Sequence, residues 1–322
     1  MFVAQIMVSH GLRLFFLICL LGPTMNTNLF FLKQKVCYGV LILLMALSGC
    51  TQIHNIRSPG KSGTQVRPFT VLTYNIRVGA GVRKYGRNPY LLKDDIQPDL
   101  PPIIAAIRSV GPDIVGLQEV LGEDQAASIA KVLNMNYAYV PHGLEKYGAW
   151  WGVAVLSKFP ILHVTRQEIS SGRGNTRANC IAQIDVFGQR CVFVVIHKDK
   201  DQQDGAALYR SMELINKQGD PVVLLGDFNI RPGDKRWSIT STRLQDTVYQ
   251  AATGHARYAE KRGTYPGKHC RHWGKRIDYI LVDKGRFDVL DAGLVNEEYW
   301  SASDHIGYYA VVRLKKDFGT KD

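Results

Sequence analysis

Residues 221–234 read PVVLLGDFNIRPGD, from Pro221 to Asp234. The first part, Pro221–Leu225, is a short apolar run of the kind that lies buried in a sheet. It gives way at Gly226 to Asp227, Phe228 and Asn229, so polar side chains stand where the strand meets its rim. A strand end at a sheet rim can hold a carboxylate with one side desolvated and the other open to a substrate.

The same arrangement recurs outward in both directions. Phe69–Ile76 reads as a strand closing on Tyr74-Asn75, and the short run Ile114–Leu117 closes on Gln118-Glu119. Cys180–Val186 and Cys191–Ile196 read as a hairpin around Gly188-Gln189, whose second arm ends at His197. Ser303-Asp304-His305 precedes the strand Tyr308–Leu314. Asp278 lies inside the apolar run Ile277–Val282, where a charge needs a partner. Taken singly, each residue also has a structural reading: Asn75 and Asn229 as turn residues, Asp227 as a cap, His197 as a core histidine. Six such positions coinciding at strand ends point to a site.

Between these strands lie Val153–Leu156, a further strand, and three helical stretches. In Pro101–Val110, Ile103, Ile104 and Ile107 fall at helical spacing, with prolines at the start, where they are tolerated. Ala126–Leu133 is a second helix. Ala206–Lys217 is a third, with Leu208, Met212 and Ile215 inward and Gly219-Asp220-Pro221 as its stop. A glycine-rich loop runs through Gly79, Gly81 and Gly86. Strands with interspersed helices, lacking regular βαβ alternation, imply an α/β fold of two packed sheets flanked by helices. No linker-like break divides residues 69–315, which read as one domain, and 316–322 as a polar tail.

The chain has 322 residues, 46% hydrophobic and 21% charged, which excludes wholesale disorder. Its formal charge is +12; the first fifty residues contribute Arg13, Lys33 and Lys35 and no acid, which leaves the body at +9. A basic body attracts polyanions such as nucleic acid, anionic lipid headgroups or phosphorylated small molecules. Beyond Cys50 the cysteines are Cys180, Cys191 and Cys270, an odd number without CxxC spacing. That spacing speaks against a zinc site and predicts buried free thiols.

Residues 1–50 stand apart. Met25 opens a second start-like stretch, in which Lys33 and Lys35 precede the apolar run Val40–Leu47 and then Leu47-Ser48-Gly49-Cys50. The run is short for a bilayer span and fits a signal peptide. Its ending resembles a bacterial lipobox, which implies that Cys50 receives lipid and becomes the mature N-terminus. The expectation is an exported lipoprotein of the bacterial cell envelope, attached to the membrane through its N-terminal lipid. Residues 51–68 are polar and read as a flexible tether.

The segments TYNIR (73–77), IVGLQEV (114–120), VIHKD (195–199), LLGDFNIRPGD (224–234), RIDYILVD (276–283) and SDHIG (303–307) occur in that order. Together they resemble the signature of the endonuclease/exonuclease/phosphatase, or deoxyribonuclease-I-like, superfamily across residues 69–315. The resemblance implies a four-layered α/β sandwich and hydrolysis of phosphate esters with Mg²⁺ or Mn²⁺. It implies that Asn75 and Glu119 hold the cation, with Asp304 a further acidic position of the metal site. Asp227 and Asn229 match the pair beside the attacked phosphorus. Asp278 matches the acid that orients a histidine, His305, and His197 matches a second histidine that contacts phosphate. Arg177 matches a phosphate-facing arginine.

The chemistry suits these types. Oxygen donors such as Glu119 and Asn75 suit hard cations that keep much of their hydration. A carboxylate behind an imidazole fixes its tautomer and raises its basicity. Either Asp227 or His305 could take the proton from water. In Tyr147–Lys158 the pattern departs from the superfamily's, with Val153 where a polar residue is usual and Lys158 for arginine. Trp150 and Trp151 fit core packing or stacking on a base. The insert Gly263–Lys275 gathers Lys268, Arg271, His272 and Lys275 around Trp273, which suits nucleic acid or an anionic headgroup. The expected partner is a phosphate-ester substrate, nucleic acid or another phosphodiester, with lipid phosphodiesters and phosphoinositides as alternatives. The expected assembly is a monomer.

Overall fold

The computed structural model describes residues 52–55, 67–82, 98–143, 151–170, 176–199, 213, 219–235, 243–266 and 274–315. The export segment and Cys50, Gly86, Trp150, the helix expected at 206–217 apart from Glu213, the basic insert residues 268–273 and the tail 316–322 lie outside them.

Two mixed sheets pack face to face, with helices on their flanks. The first runs in the order β1 (Ile53–His54), β4 (Asn136–Pro141), β5 (Gly152–Ser157), β3 (Ile114–Val120), β2 (Phe69–Asn75), β13 (Tyr308–Leu314), β12 (Phe287–Leu294). The second runs β10 (Leu244–Asp246), β11 (Asp278–Asp283), β9 (Val222–Asp227), β8 (Gln189–His197), β7 (Thr176–Val186), β6 (Ile161–Ser170). Only β2–β3 and β8–β9 pair in parallel among the described strands. These central pairs are buried on both faces, as parallel strands require.

One hydrophobic cluster fills the space between the sheets, including Val71, Val155, Val195, Leu225, Ile280 and Ala310. A second lies on the outer face of the first sheet, where Ile103, Ile104 and Ile107 of α1 (Leu100–Val110) and Ala126 and Ile129 of α2 (Glu123–Leu133) meet Leu72, Val115 and Leu117. Helix α1 begins on its prolines and stops at Gly111, whose φ of 63° supplies the left-handed cap. Two short helices, α3 (Thr247–Gln250) and α4 (Gly254–Arg262), pass Val248, Ala251, Ala256 and Ala259 into the inter-sheet cluster.

The strand edges differ from expectation in an orderly way. Ile114–Leu117 extends to Val120 and Pro221–Leu225 shifts to Val222–Asp227, because the hydrogen-bonded ladder continues into the polar residues where apolarity stops. The expected hairpin forms, but its arms are longer, Thr176–Val186 and Gln189–His197. Strands β4, β6, β10 and β12 and helices α3 and α4 add to the expected set. The tether reading of 51–68 needs correction at its start. Ile53 and His54 pair with Ala138 and Tyr137 along the open edge of β4. The His54 ring stacks on Tyr137 at 4.5 Å, and Asn55 exchanges two hydrogen bonds with the backbone of Ile161. Cys180 and Cys191 are buried free thiols, as expected.

Candidate active site

Side chains alternate along a strand, and this alternation decides what reaches the rim between the sheets. In β9, Val223 and Leu225 point into the inter-sheet core, so Asp227 points the same way at the strand's end. Cys191, Phe193 and Val195 bring His197 to that side of β8, and Ile280 and Val282 do so for Asp278 at the start of β11. Register sets the three abreast: His197 pairs with Asp227, and Asp227 with Asp278.

The turn into Asp227 depends on Gly226. Its φ is 146°, and a Cβ there would lie 1.9 Å from the carbonyl oxygen of Ile196 on the neighbouring strand. No side chain fits between the two backbones, which is why glycine precedes the acid.

From the facing sheet, Phe69 and Val71 lead to Asn75 by the same alternation. Glu119 does not follow it. Val115 and Leu117 face the helices, so strict alternation would turn Glu119 toward them as well. A bulge between Gln118 and Val120, with Glu119 at φ 54°, re-aims its side chain instead. Its Oε1 accepts a hydrogen bond from Asn75 Nδ2 at 3.1 Å. Holding a non-glycine residue there costs about 1–3 kcal/mol, and bulges of this kind gather beside active sites.

Asn75 Nδ2 also donates to Asp227 Oδ2 at 3.2 Å, which ties the two rims together. Its Oδ1 accepts from the backbone N–H of Arg77 at 3.1 Å. Asn75 therefore meets the carboxylates as a donor, where the sequence reading had it offering oxygen to a cation. Asn229, at φ 51°, folds back on Asp227: its backbone N–H donates to Asp227 Oδ1 at 2.8 Å, and its Nδ2 donates to the Lys198 carbonyl at 2.8 Å.

Asp304 and His305 arrive on the loop after the 3-10 turn Glu297–Ala302. Ser303 fixes that loop: its hydroxyl donates to the Asn75 carbonyl at 2.7 Å and accepts from the His305 N–H at 3.3 Å. His305 Nδ1 lies 2.9 Å from Asp278 Oδ2, and His305 Nε2 lies 3.7 Å from Asp227 Oδ2. Thr264 latches the other side. Its hydroxyl oxygen accepts from the N–H groups of Ile277 and Asp278, and its carbonyl accepts from Ile306. The Tyr265 ring packs on His305 at 4.8 Å.

Burial and then Asp304 push the Glu119 carboxyl up to about 7, against the hydrogen bond from Asn75. Burial and then Asp278 push Asp227 up to about 7, while His305 opposes. Burial alone would lower His305, but Asp278 and Asp227 outweigh it and hold the imidazole protonated well above its usual range. A crowd of buried carboxylates that repel one another is the setting a hard divalent cation relieves, and Glu119 and Asp304 supply the oxygens. Asp304 lies 3.6 Å from Arg77 Nε, a loose contact that leaves it partly open. Asp227, Asp278 and His305 could also hold a metal ion, with ligand atoms within 4.8 Å of one another. His305 Nδ1 is already engaged by Asp278, which favours reading that trio as a proton-handling chain.

Arg177, at the mouth of β7, is buried with its guanidinium 4.3 Å from the centre of the Trp151 ring. Its charge favours the ionised form of Glu119. Trp151 packs at the site as well as in the core, its ring 5.2 Å from His197. His197 Nε2 lies 3.6 Å from Asp227 Oδ2 and 3.8 Å from Glu119 Oε1.

Thus Asn75, Glu119, His197, Asp227, Asn229, Asp278, Asp304 and His305 converge, with Arg177 beside them. The sequence reading gives no role to Thr264, Tyr265 or Ser303, nor above all to His142. Alternation could have found His142, since Ala138 and Val140 face the inter-sheet core four and two residues before it. Burial, then Arg177 and Arg166, drive the His142 imidazole well below its usual range; burial, then Arg177, do the same to His197.

The Endonuclease/Exonuclease/phosphatase family pattern matches residues 72–305. Among curated proteins, Protein cwh43 of Schizosaccharomyces pombe is 31% identical over 131 residues, covering 38% of this chain and 13% of that protein. YbhP of Escherichia coli is 28% identical over 185 residues, covering 52% of this chain and 68% of that protein. This chain thus spans only a small part of cwh43. A solved structure described as an endonuclease/exonuclease/phosphatase from Beutenbergia cavernae superposes with a TM-score of 0.59 at 23% identity, over 77% of this chain and 72% of that one. The mannosyl-6-phosphatase Bt3783 of Bacteroides thetaiotaomicron superposes at 0.56 and 20% identity, over 76% and 99%. At these identities the structures share the fold.

Proposed function

The chain belongs to the endonuclease/exonuclease/phosphatase family, and from that premise we propose that it is a Mg²⁺- or Mn²⁺-dependent phosphodiesterase whose substrate is nucleic acid. The observation that carries the reading is the line His197, Asp227, Asp278 with His305 hydrogen-bonded behind it, facing Glu119 across the rim. A bound cation would polarise a phosphoryl oxygen and stabilise charge on the leaving oxygen. Asp227, raised into the neutral range, takes the proton from the attacking water. As the new oxygen–phosphorus bond forms, the ester oxygen–phosphorus bond breaks and the leaving oxygen takes a proton from cationic His305, which the proton held by Asp227 then replaces. His305, kept cationic by Asp278, and Arg177 face the phosphoryl oxygens, and His197 Nε2 donates to one of them. The body's basic balance favours a polyanion over a neutral ester.

A panel of duplex DNA, RNA, sphingomyelin, a phosphoinositide and a sugar 6-phosphate, each with Mg²⁺, tests this. Nucleic acid is expected to be hydrolysed fastest. A clear preference for the sugar 6-phosphate would replace the diesterase reading with a monoesterase one.

The protein acts, in this reading, as an exported lipoprotein held at the bacterial envelope by Cys50. Among the described residues no helix is long and apolar enough to cross a membrane. Cys50→Ala is expected to abolish labelling by a fatty-acid analogue and release the protein from the membrane fraction. Unchanged labelling and fractionation in that variant would remove the anchor.

A further inference from the structure

His142 and His197 each use one ring nitrogen and leave the other buried. His142 Nδ1 accepts from the backbone N–H of Ala178 at 2.9 Å. A backbone N–H can only donate, so Nδ1 is bare and the single ring hydrogen of His142 sits on Nε2. That Nε2 is buried and without a hydrogen-bond partner among the described residues. His197 is its mirror. Its Nε2 faces the carboxylates of Asp227 and Glu119, which favour a hydrogen there, and its Nδ1 is buried with no hydrogen-bond partner among the described residues. The two ring centres are 5.7 Å apart, and Trp151 packs edge-on against both, at 5.6 Å and 5.2 Å. Two orphan nitrogens, one a fixed donor and the other able to accept, thus sit on neighbouring buried rings. A small ring rotation or one bridging water joins them.

We propose that His142 is the positioning residue of His197: its Nε2–H holds His197 in the tautomer with Nδ1 bare and Nε2 protonated toward the phosphoryl position. The alternative tautomer would set two N–H groups against each other in a buried corner, leaving both without acceptors, which is costly. The chain runs from the Ala178 N–H through His142 to His197 and out to the substrate. It ties the catalytic rim to the mouth of β7, where Arg177 also sits. This is the role that carboxylates and carbonyls usually play behind an active-site imidazole, performed here by a second imidazole. Among the described residues no group hydrogen-bonds His197 Nδ1, and His142 is the imidazole placed beside it to do so.

The proposal rests on the phosphate-facing reading of His197 only in its kinetic arm; the tautomer can be read without substrate. In the full chain labelled with ¹⁵N-histidine, the long-range ¹H–¹⁵N pattern of His197, assigned with His197→Gln, is expected to show a single tautomer with Nε2 protonated. A protonated Nδ1 in the native protein at neutral pH would overturn the proposal without recourse to any further variant. In His142→Phe, which keeps volume and removes both nitrogens, His197 is expected to show mixed tautomers. Turnover should fall about tenfold to a hundredfold with KM little changed. His142→Gln, whose amide can donate where Nε2–H did, should recover most of both. A Phe variant with an unaltered His197 pattern would overturn the proposal. So would a Gln variant that melts like the native protein yet is as slow as Phe.

Discussion

Asp278→Asn and His305→Ala are each expected to lower turnover by about two to four orders of magnitude, the usual scale for losing a positioned acid–base group. The double variant should be little slower than the slower single. The geometry motivates this: Asp278 is buried at the start of β11, and its Oδ2 meets His305 Nδ1 at 2.9 Å. Its Oδ1 is buried with no hydrogen-bond partner among the described residues, so His305 is its principal compensation. Without Asp278, burial reclaims the imidazole and His305 loses the charge that makes it useful at the phosphoryl group. Without His305, Asp278 becomes an uncompensated carboxylate beside Asp227, its cross-strand neighbour. Either loss removes the same device, and residues acting as a unit are strongly non-additive. The measurement is turnover of both singles and the double on protein whose melting curve shows it folded. Losses that multiply, or near-native turnover in His305→Ala, would sink the dyad.

Asp227 and Asp278 were legible because their strands keep strict alternation up to the rim. Val223, Leu225 and Asp227 in β9, and Asp278, Ile280 and Val282 in β11, are two such phases carried to a polar end. Where the phase slips, reading fails. Strands β6 and β12 were missed, and each carries a register shift, between Ile161 and His163 in one and between Val289 and Asp291 in the other. A bulge puts consecutive residues out of step with the core, so the apolar pattern no longer marks a strand. Glu119 was found through its neighbours in IVGLQEV, although its direction depends on the bulge at Gln118–Val120. Thr264 and Ser303 act through hydroxyls on distant backbone, and no local pattern announces such a latch. His142 lies one residue past β4, a strand absent from the sequence reading, in which Tyr137 and Tyr139 on one face and Ala138 and Val140 on the other leave no polar face to mark the period.

Chelation is expected to bring hydrolysis to the uncatalysed background, and Mg²⁺ or Mn²⁺ to restore it. The physical case starts from half-buried Glu119, where desolvation and then the Asp304 charge push the carboxyl up to about 7. Asn75 Nδ2 and the charge of Arg177 only partly offset this. A divalent cation seated against Glu119 and Asp304 supplies what those donors do not. Its binding must then stabilise the fold by mass action. Saturation at a hundred times the dissociation constant contributes about 2.7 kcal/mol. For a domain of this size, that raises the melting temperature by roughly 5–10 °C. Glu119→Gln should lose both the thermal shift and the activity. Asn75→Ala should keep its fold, require more Mg²⁺ for half-maximal rate, and recover part of its turnover at high Mg²⁺, because Asn75 organises the carboxylates. The Asp278 and His305 variants should keep the thermal shift, since their residues act on the proton and not at the Glu119–Asp304 oxygens. Undiminished hydrolysis in chelator would remove the metal from the mechanism. A shift that survives in Glu119→Gln but vanishes in Asp278→Asn would move the cation to the Asp227, Asp278 and His305 cluster.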